Sequence, residues 1–300
     1  MRRTNDSETR ATVGMVLILA LLATAGSAAP TPHPGPKPEG LAQRLCDALH
    51  ALPAKRKSEC CGTTASSLAG LCARELAASI RSAAATLDAA QVERCTAATS
   101  RQLEGCGWVT PVLPNLPEAC RNIIQGRLKA GVRCGSSVEC QDGLFCRGVG
   151  PESQGICTAP AAAHTRCEVP ADNLAAFTRG EEDPRHAVCD GFCIKGQCLP
   201  FSPAGGSCES SSQCRPGLNC IARHCQGEPL PKIGEPCPDH TACQAGAYCQ
   251  AGHCAALKNA GEPCALPFEC RAFECVKSPG AQTGSCGEPC GPLTSSPTKP

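Results

Sequence analysis

Apolar residues recur at helical spacing in the stretch that follows Gly40. They are four residues apart at Leu41, Leu45 and Leu49, and again at Leu68, Cys72, Leu76 and Ile80. Such spacing places the side chains on one face of a helix. Both stretches are also rich in alanine, leucine, arginine and glutamate, which favour helix. The pattern predicts two amphipathic helices.

A third helix is predicted with both of its ends marked. Asp88 can cap its N-terminus, with Gln91 at the reciprocal position of a capping box. Gly105 and Gly107 are expected to end it. Its predicted buried stripe consists of Val92, Cys95, Thr99, Leu103 and Cys106.

Pro117 suits the first turn of a fourth, short helix. This helix would carry Cys120 and Ile124, with Gly126 as its stop. Residues 41–130 are therefore predicted to form a helical domain. It contains seven cysteines, several on the apolar faces: Cys46, Cys60, Cys61, Cys72, Cys95, Cys106 and Cys120.

Cysteine spacing replaces helical periodicity after Gly131. Five four-cysteine units follow: unit 1 (Cys134, Cys140, Cys146, Cys157), unit 2 (Cys167, Cys189, Cys193, Cys198), unit 3 (Cys208, Cys214, Cys220, Cys225), unit 4 (Cys237, Cys243, Cys249, Cys254) and unit 5 (Cys264, Cys270, Cys275, Cys286). In units 1, 3 and 4 the first three cysteines have the spacing Cys-x5-Cys-x5-Cys. Repeats of this size cannot bury enough apolar surface alone, so they need covalent bonds and neighbours. We place them at 131–160, 161–200, 205–227, 234–256 and 261–290, within a repeat domain of 131–290.

Glycine recurs at fixed offsets in these units. It stands three residues before the first cysteine at Gly131, Gly205, Gly234 and Gly261, and three before the third cysteine at Gly143, Gly217 and Gly246. Such a glycine is expected in a turn with a positive φ angle. The segments Cys220–Cys225 and Cys249–Cys254 have the length of a tight hairpin. We predict two short strands per unit and little helix.

Unit 2 contains the longest insertion, Glu168 to Val188. It includes the charged run Arg179 to Arg185. Long insertions of this kind are usually exposed loops. A solvated loop is the preferred interpretation of the charged run, and a recognition loop is the alternative.

The parity of the cysteines predicts a bond between the two regions. The helical region has seven cysteines, and the repeats have twenty plus Cys290, which closes the third copy of a Gly-Glu-Pro-Cys tetrapeptide. Both counts are odd, so either one bond crosses between the regions or two thiols stay free. We predict a crossing bond between Cys290 and a helical-region cysteine such as Cys120.

Composition and the N-terminus place the chain in an oxidising compartment. It has 28 cysteines but only six Phe, one Tyr and one Trp in 300 residues. Arg2, Arg3 and Arg10, the apolar run Met15–Ala25 and the small residues Gly26-Ser27-Ala28 predict a signal peptide over 1–28. The apolar run is too short to span a membrane. Dense cysteine together with an export signal is typical of secreted disulfide scaffolds.

The remaining segments and the charge complete the outline. Residues 29–40 are predicted to be a proline-rich linker, and 291–300 a disordered tail. The formal net charge of +1 gives no electrostatic case for nucleic acid or anionic lipid as a partner. The expected partner is an extracellular protein or surface ligand, and the expected location is extracellular, periplasmic or at the cell surface.

Zinc is the main chemical alternative to disulfides. Structural zinc sites usually contain Cys-x2-Cys, and this chain has none; the absence also disfavours a thioredoxin-like redox centre. His224 and His253 precede the fourth cysteine of two units and are interpreted as hairpin residues rather than ligands. Cys60 and Cys61 are expected to bond outward to different helices rather than form a vicinal redox pair.

The chain carries no sequence pattern typical of catalysis. Gly-x-Ser-x-Gly, His-Glu-x-x-His and phosphate-loop motifs are absent. We therefore predict a protein that is not an enzyme, with no catalytic, cofactor-binding or metal-binding residues and no cofactor. Trp108 is interpreted as a plug of a small core, with an exposed partner anchor as the alternative.

The segment Cys237-Pro-Asp-His-Thr-Ala-Cys243-Gln-Ala-Gly-Ala-Tyr-Cys249-Gln-Ala-Gly-His-Cys254 resembles the last part of the Dickkopf N-terminal cysteine-rich domain. Both have a cysteine, a Gly-x-Tyr-Cys and a closing x-Gly-x-Cys in that order. The layout is also similar to bacterial families of secreted cysteine-rich proteins that carry the Dickkopf-like label. The likeness covers at most Gly131–Cys290, in short pieces. The Dickkopf segment has two adjacent cysteines where this chain has Cys243 and Gln244, so its inner disulfide pattern need not carry over.

The sequence thus predicts a small disulfide-rich fold, with a disulfide-braced α-helical domain followed by tandem short β-hairpin cysteine-rich modules. Its predicted function is extracellular or cell-surface binding or structure, without catalysis. A secreted protease inhibitor is one alternative, because small stapled modules present rigid loops. An extracellular redox or metal-binding protein is another.

Overall fold

The structure is a computed structural model that describes residues 38–62, 64, 66–110, 115–179, 184–238 and 241–290. The predicted signal peptide, the linker before Pro38 and the predicted tail lie outside the described residues, as does the middle of the charged run at 180–183. The last three residues of the predicted linker are helical, since the first helix begins at Pro38. Proline is well accommodated in the first turn of a helix.

Four helices lie in the N-terminal part of the chain: α1 (Pro38–Cys46), α2 (Leu52–Cys61), α3 (Ala69–Arg81) and α4 (Ala89–Gln102), with a π-helical turn at Asp47–Ala51 between α1 and α2. Their core contains Leu45, Leu76 and Val92, all fully buried. The three helices predicted from apolar spacing and capping are confirmed.

The N-terminus of α4 is capped on one side only. The Asp88 carboxylate accepts the backbone N–H of Gln91 at 2.8 Å. The reciprocal bond of a capping box is not made, because Gln91 Oε1 has no hydrogen-bond partner. Of the predicted stripe on α4, Cys106 is exposed and the other four residues are buried.

The predicted fourth helix is wrong. Residues Glu118–Cys120 form one 3₁₀ turn, and Ile124–Gly126 is a strand, β2, paired antiparallel with β1 (Ala85–Leu87). The pairing buries Ile124 against the helices. Gly126 is not a helix stop: a Cβ atom there would overlap the carbonyl of Cys140, so glycine allows unit 1 to approach this strand closely.

Short antiparallel strands form the cysteine units: β3 (Arg133–Cys134), β4 (Phe145–Arg147) and β5 (Gly155–Thr158) in unit 1; β6 (Phe192–Ile194) and β7 (Gln197–Leu199) in unit 2; β8 (Asn219–Ile221) and β9 (His224–Gln226) in unit 3; β10 (Ala247–Gln250) and β11 (His253–Ala256) in unit 4; β12 (Pro263–Cys264), β13 (Cys275–Val276) and β14 (Gly284–Cys286) in unit 5. In each unit the third and fourth cysteines are directly opposite each other. The expected strand pairs are confirmed, and units 1 and 5 each have a third strand.

The recurring glycines occupy one kind of turn. Those before the first cysteine have φ angles of 77° to 90°: Gly131, Gly205, Gly234 and Gly261. Each donates its N–H to the carbonyl of the fourth cysteine of its unit, at 2.7 to 2.8 Å. In unit 2, His164 stands in this place, with a φ angle of 66° and the same bond to Cys198. The predicted positive φ angles of these glycines are confirmed.

The hairpin of unit 3 is the least favourable of three related turns. Ala222 and Arg223 both have positive φ angles, 49° and 60°, whereas the turns of units 2 and 4 have glycine second, at Gly196 and Gly252. We expect Arg223→Gly to raise the free energy of unfolding by about 0.5 to 1 kcal/mol, because a side chain is disfavoured in this region. Denaturation without reductant measures the change. The matched control is Gly252→Arg, which should lower stability; equal effects of the two substitutions would contradict the turn assignment.

The insertion of unit 2 was predicted to be an exposed loop, and this prediction is wrong for part of it. Asn173–Arg179 forms a fifth helix, α5. Leu174 and Ala175 are buried in the same cluster as the core of the helical region. The Asp172 carboxylate caps α5 by accepting the N–H of Ala175 at 3.0 Å. An N-capping aspartate before an apolar pair is a helix signal that the length of the insertion obscured.

The crossing bond predicted for Cys290 is present, but its partner is Cys61 at the end of α2, 229 residues earlier. The predicted partner Cys120 is wrong, because it bonds to Cys95 on α4. Cys120 is buried in the helical core, whereas Cys61 is partly exposed and accessible to a distant segment. Within the described ranges, no helix has the length and apolar character needed to cross a membrane.

Candidate binding surface and crossed disulfides

Every unit contains the same two disulfides. The first cysteine bonds to the third and the second to the fourth, as in Cys134–Cys146 with Cys140–Cys157 and in Cys208–Cys220 with Cys214–Cys225. Units 2, 4 and 5 repeat the pattern. The helical region adds Cys46–Cys72, Cys60–Cys106 and Cys95–Cys120. All 28 cysteines of the chain are therefore bonded in pairs.

The two disulfides within each unit bring three of its sulfurs within 4.8 Å of one another. This is the separation expected of metal-binding cysteines, but a metal needs thiolates, and each of these sulfurs is in a disulfide. His224 and His253 lie in the hairpin strands β9 and β11 and are exposed. The sulfur clusters therefore act as covalent cores of the units.

Cys60 and Cys61 do not bond to each other. Cys60 bonds to Cys106, after α4, and Cys61 to Cys290. The two partners are separate as predicted, but the prediction that they lie on helices is wrong, since both are in turns or bends. The indole N–H of Trp108 lies 3.1 Å from the carbonyl of Leu103 and 3.0 Å from that of Gly105. These bonds tie Trp108 to the end of α4, where its side chain is half-buried.

The prediction from sequence did not include a side-chain hydrogen-bond acceptor directly before the second cysteine. Glu139, Gln213 and Glu269 each accept the backbone N–H of the residue after the first cysteine, at 2.6, 2.8 and 3.2 Å. The signal was available as Glu-Cys, Gln-Cys and Glu-Cys in three units. The bond organises a 3₁₀ turn that follows the first cysteine in these units, at Ser137–Glu139, Ser211–Gln213 and Pro267–Glu269.

Units 4 and 5 are joined by a charged contact. Lys258 Nζ lies 2.6 Å from Glu269 and over the Tyr248 ring, 5.6 Å from its centroid. The hydrogen bond to Glu269 raises the pKa of Lys258. Desolvation raises the pKa of Glu269, but bonds from Lys258 and from the N–H groups of Ala265 and Leu266 hold it below its usual value overall. Both groups are therefore charged at neutral pH.

Other neighbouring units also contact each other through polar atoms. The N–H of Ala222 in the hairpin of unit 3 donates to Thr241 Oγ1 of unit 4 at 2.9 Å. The N–H of Gly143 in unit 1 donates to the carbonyl of Arg185 in the unit 2 insertion at 2.8 Å. These contacts limit the freedom of one unit relative to the next.

Large apolar side chains are exposed mainly in the cysteine units. Among the described residues they include four in unit 5: Leu266, Phe268, Phe273 and Val276. Leu266 and Phe268 flank Pro267 in the 3₁₀ turn and are 47% and 51% exposed. Exposed apolar side chains concentrated in one small module are typical of an interaction site. Unit 5 is therefore the strongest candidate for a binding surface.

A half-buried histidine links α5 to the helical core. His50 Nε2 donates to the carbonyl of Phe177 at 2.8 Å, and the two rings are in edge contact at 6.0 Å. Burial lowers the pKa of His50 from 6.5, although the bond to Phe177 acts in the opposite direction. Below about pH 6.5 the unfolded chain binds this proton more readily than the folded chain does.

We expect the docking of α5 to weaken as the pH falls below 6.5, because the charged form of His50 is disfavoured at its half-buried site. Hydrogen exchange of the α5 amides, corrected for the intrinsic pH effect, measures the loss. The variant His50→Gln keeps a hydrogen-bond donor for the Phe177 carbonyl but cannot be charged. The docking of α5 in this variant should therefore not depend on pH in this range. If the variant and the parent protein showed the same pH profile, His50 would not be its cause.

Comparison with known proteins gives no match: no family model, no curated protein and no solved structure is significantly similar to the chain. The geometry of the disulfides and of the exposed surface is therefore what bears on function.

Proposed function

We propose that the protein is a secreted, non-enzymatic binding protein built from a disulfide-braced helical domain and five tandem modules of Dickkopf-like architecture. Three repeated features support the modules: the first-to-third and second-to-fourth bonds, the turn that bonds to the fourth cysteine, and the hairpin between the third and fourth cysteines. The dense disulfides fit an oxidising, extracellular location.

One observation carries the proposal of binding: the buried clusters of units 3 and 5 consist almost entirely of cystine. In unit 3 the cluster contains only the four cysteines, with Leu218 packed against it, and in unit 5 three cysteines with Cys275 beside them. Larger apolar side chains such as Leu266 and Phe268 are consequently free to face outward. A covalently fixed backbone presents them at a small entropic cost, which suits recognition.

The binding function is tested by immobilising the folded chain on a solid support and passing an extracellular extract from the source over it. The matched control is the same chain, reduced and alkylated. We expect the folded chain to retain a component saturably and at a fixed stoichiometry, and the control not to retain it. Equal retention by the two forms would reject a function that depends on the stapled surface.

Protease inhibition is a second candidate because Arg223 is exposed at the tip of a hairpin between Cys220 and Cys225. Titration against a panel of serine proteases separates the two proposals. Stoichiometric inhibition that is lost in Arg223→Ala would favour the inhibitor. Absence of inhibition across the panel would leave the binding function as proposed.

A further inference from the structure

The 3₁₀ turn after the first cysteine forms a comparable face in units 1, 3 and 5. It comprises the residues two to four positions after that cysteine. We call it the turn face. In all three units the same side-chain acceptor before the second cysteine fixes its backbone. Differences in what covers the turn face are therefore differences in side chains rather than in local backbone.

In unit 1 the turn face is a docking surface for a helix of the same chain. Val138 is 1% exposed and belongs to one buried cluster with Leu174 and Ala175 of α5. The Asp172 carboxylate at the start of α5 accepts Ser136 Oγ at 2.7 Å and the N–H of Ser137 at 2.6 Å. Strand β2 also lies against this turn, but the hydrogen bonds from side chains of the turn face and its backbone go to the start of α5. The chain itself thus shows that this face accepts the apolar side of a helix.

In unit 3 the turn face is polar and solvated. Its residues are Ser210, Ser211 and Ser212, and the hydroxyls of Ser210 and Ser212 bond to each other at 2.7 Å. Ser212, in the position of Val138, is exposed. A turn face that no element covers therefore folds with serine at these positions.

In unit 5 the turn face is apolar but exposed. Leu266, Pro267 and Phe268 stand where unit 3 has three serines, and Leu266 and Phe268 are about half exposed. Phe273 is a second unusual residue of unit 5. It stands three residues after the second cysteine, a position that is glycine in units 1, 3 and 4. Its side chain is exposed, and its φ angle is 52°. An exposed phenylalanine in the left-handed region does not help the unit to fold.

We propose that the turn face of unit 5 binds the apolar side of an α-helix in a different protein. The inference rests on the proposed binding function and names the class of partner. It follows from unit 1, where the same face binds α5. Pro267 has no N–H and the N–H of Leu266 is bonded to Glu269, so unit 5 cannot bind an acidic helix cap as unit 1 does. The partner helix must therefore bind through apolar side chains.

A second copy of the chain is a poorer occupant. Its α5 is already buried against its own unit 1, with Leu174 and Ala175 inaccessible. Contact between two unit 5 turn faces would bury two half-exposed side chains on each copy. That is far below the roughly 1,200 Å² that a stable interface needs. An amphipathic helix instead binds through a few apolar anchors spaced three or four residues apart.

The test uses the ¹⁵N-labelled full chain and a synthetic stapled helical peptide with a leucine–alanine face and a lysine–glutamate face. We expect saturable chemical-shift changes confined to unit 5 and centred on residues 265–270. The variant L266S/F268S, which gives unit 5 serines as in unit 3, should bind at least tenfold more weakly. A thiol assay and a disulfide map of that variant check that it has folded.

Two controls give the test its specificity. Ile233→Ser removes another exposed apolar side chain, 61% exposed and outside the turn face, and should bind the peptide as the parent does. A peptide of the same composition with proline in its centre should not bind.

Several results would overturn the inference. They are shifts centred elsewhere, unchanged binding by L266S/F268S, equal binding of the non-helical peptide, or a concentration-dependent dimer that L266S/F268S abolishes. The last would assign the turn face to a second copy. If the helix site failed while the immobilised chain still retained its extracellular component, the binding function would stand and only this surface would be rejected.

Discussion

Full reduction is expected to unfold units 1 to 5 while α1 to α4 keep part of their helical signal. The buried clusters of units 1, 3 and 5 consist mainly of cystine, whereas the helical core contains Leu45, Leu76 and Val92. Closing a loop of about 15 residues contributes about 3 kcal/mol in the chain-entropy model, and each unit contains two such closures. Little apolar packing would remain in a reduced unit.

Circular dichroism and limited proteolysis measure this outcome. After reduction and alkylation, cleavage should begin throughout 131–290, and the remaining ellipticity should be helical. The matched control is a chelator without reductant, which should change neither signal. Units that stayed resistant to protease after complete reduction would show that something other than disulfides holds them.

Removing the bond between Cys61 and Cys290 is expected to have the largest effect of any single disulfide deletion. The bond closes a loop with a sequence separation of 229 and ties the segment after Cys286 to the end of α2. We expect C61S/C290S to lower the free energy of unfolding by about 4 to 5 kcal/mol, since the entropic term grows with the logarithm of loop length and other bonds already shorten this loop.

The neighbouring bond provides the matched control. C60S/C106S removes a bond of separation 46 from the adjacent cysteine on α2. It should cost somewhat less, and it should not release the segment after Cys286. Under non-reducing conditions, denaturant titration gives the energies, and protease cleavage near Gly287 reports the release. Early cleavage near Gly287 in both variants, or in neither, would contradict the assigned role of Cys290.

The strongest sequence signals were those set by local physics. Apolar spacing found α1, α3 and α4, and fixed glycine offsets found turns with positive φ angles, because both depend on only a few neighbouring residues. Counting cysteines in the two regions found the crossing bond of Cys290. Parity could not identify its partner, since that choice depends on which cysteine remains accessible after the helical core forms.

Long-range pairing limited the other predictions. Ile124 and Gly126 were assigned to a helix because their strand partner, β1, lies about 40 residues away, and pairing over such a distance leaves no local pattern. Four cysteines allow three connectivities, so the crossed bonds of the units could not be chosen from spacing. The exposed turn face of unit 5 could not be predicted from the sequence, because it is recognised by contrast with the covered turn face of unit 1, which only the structure shows.

Non-reducing peptide mapping, together with thiol titration of the native protein, tests the central claim most directly. The expected result is no titratable thiol, first-to-third and second-to-fourth bonds in every unit, and a Cys61–Cys290 peptide pair. Reactive thiols at most cysteines, or metal bound in a fixed ratio to the units, would contradict a fold held together by crossed disulfides.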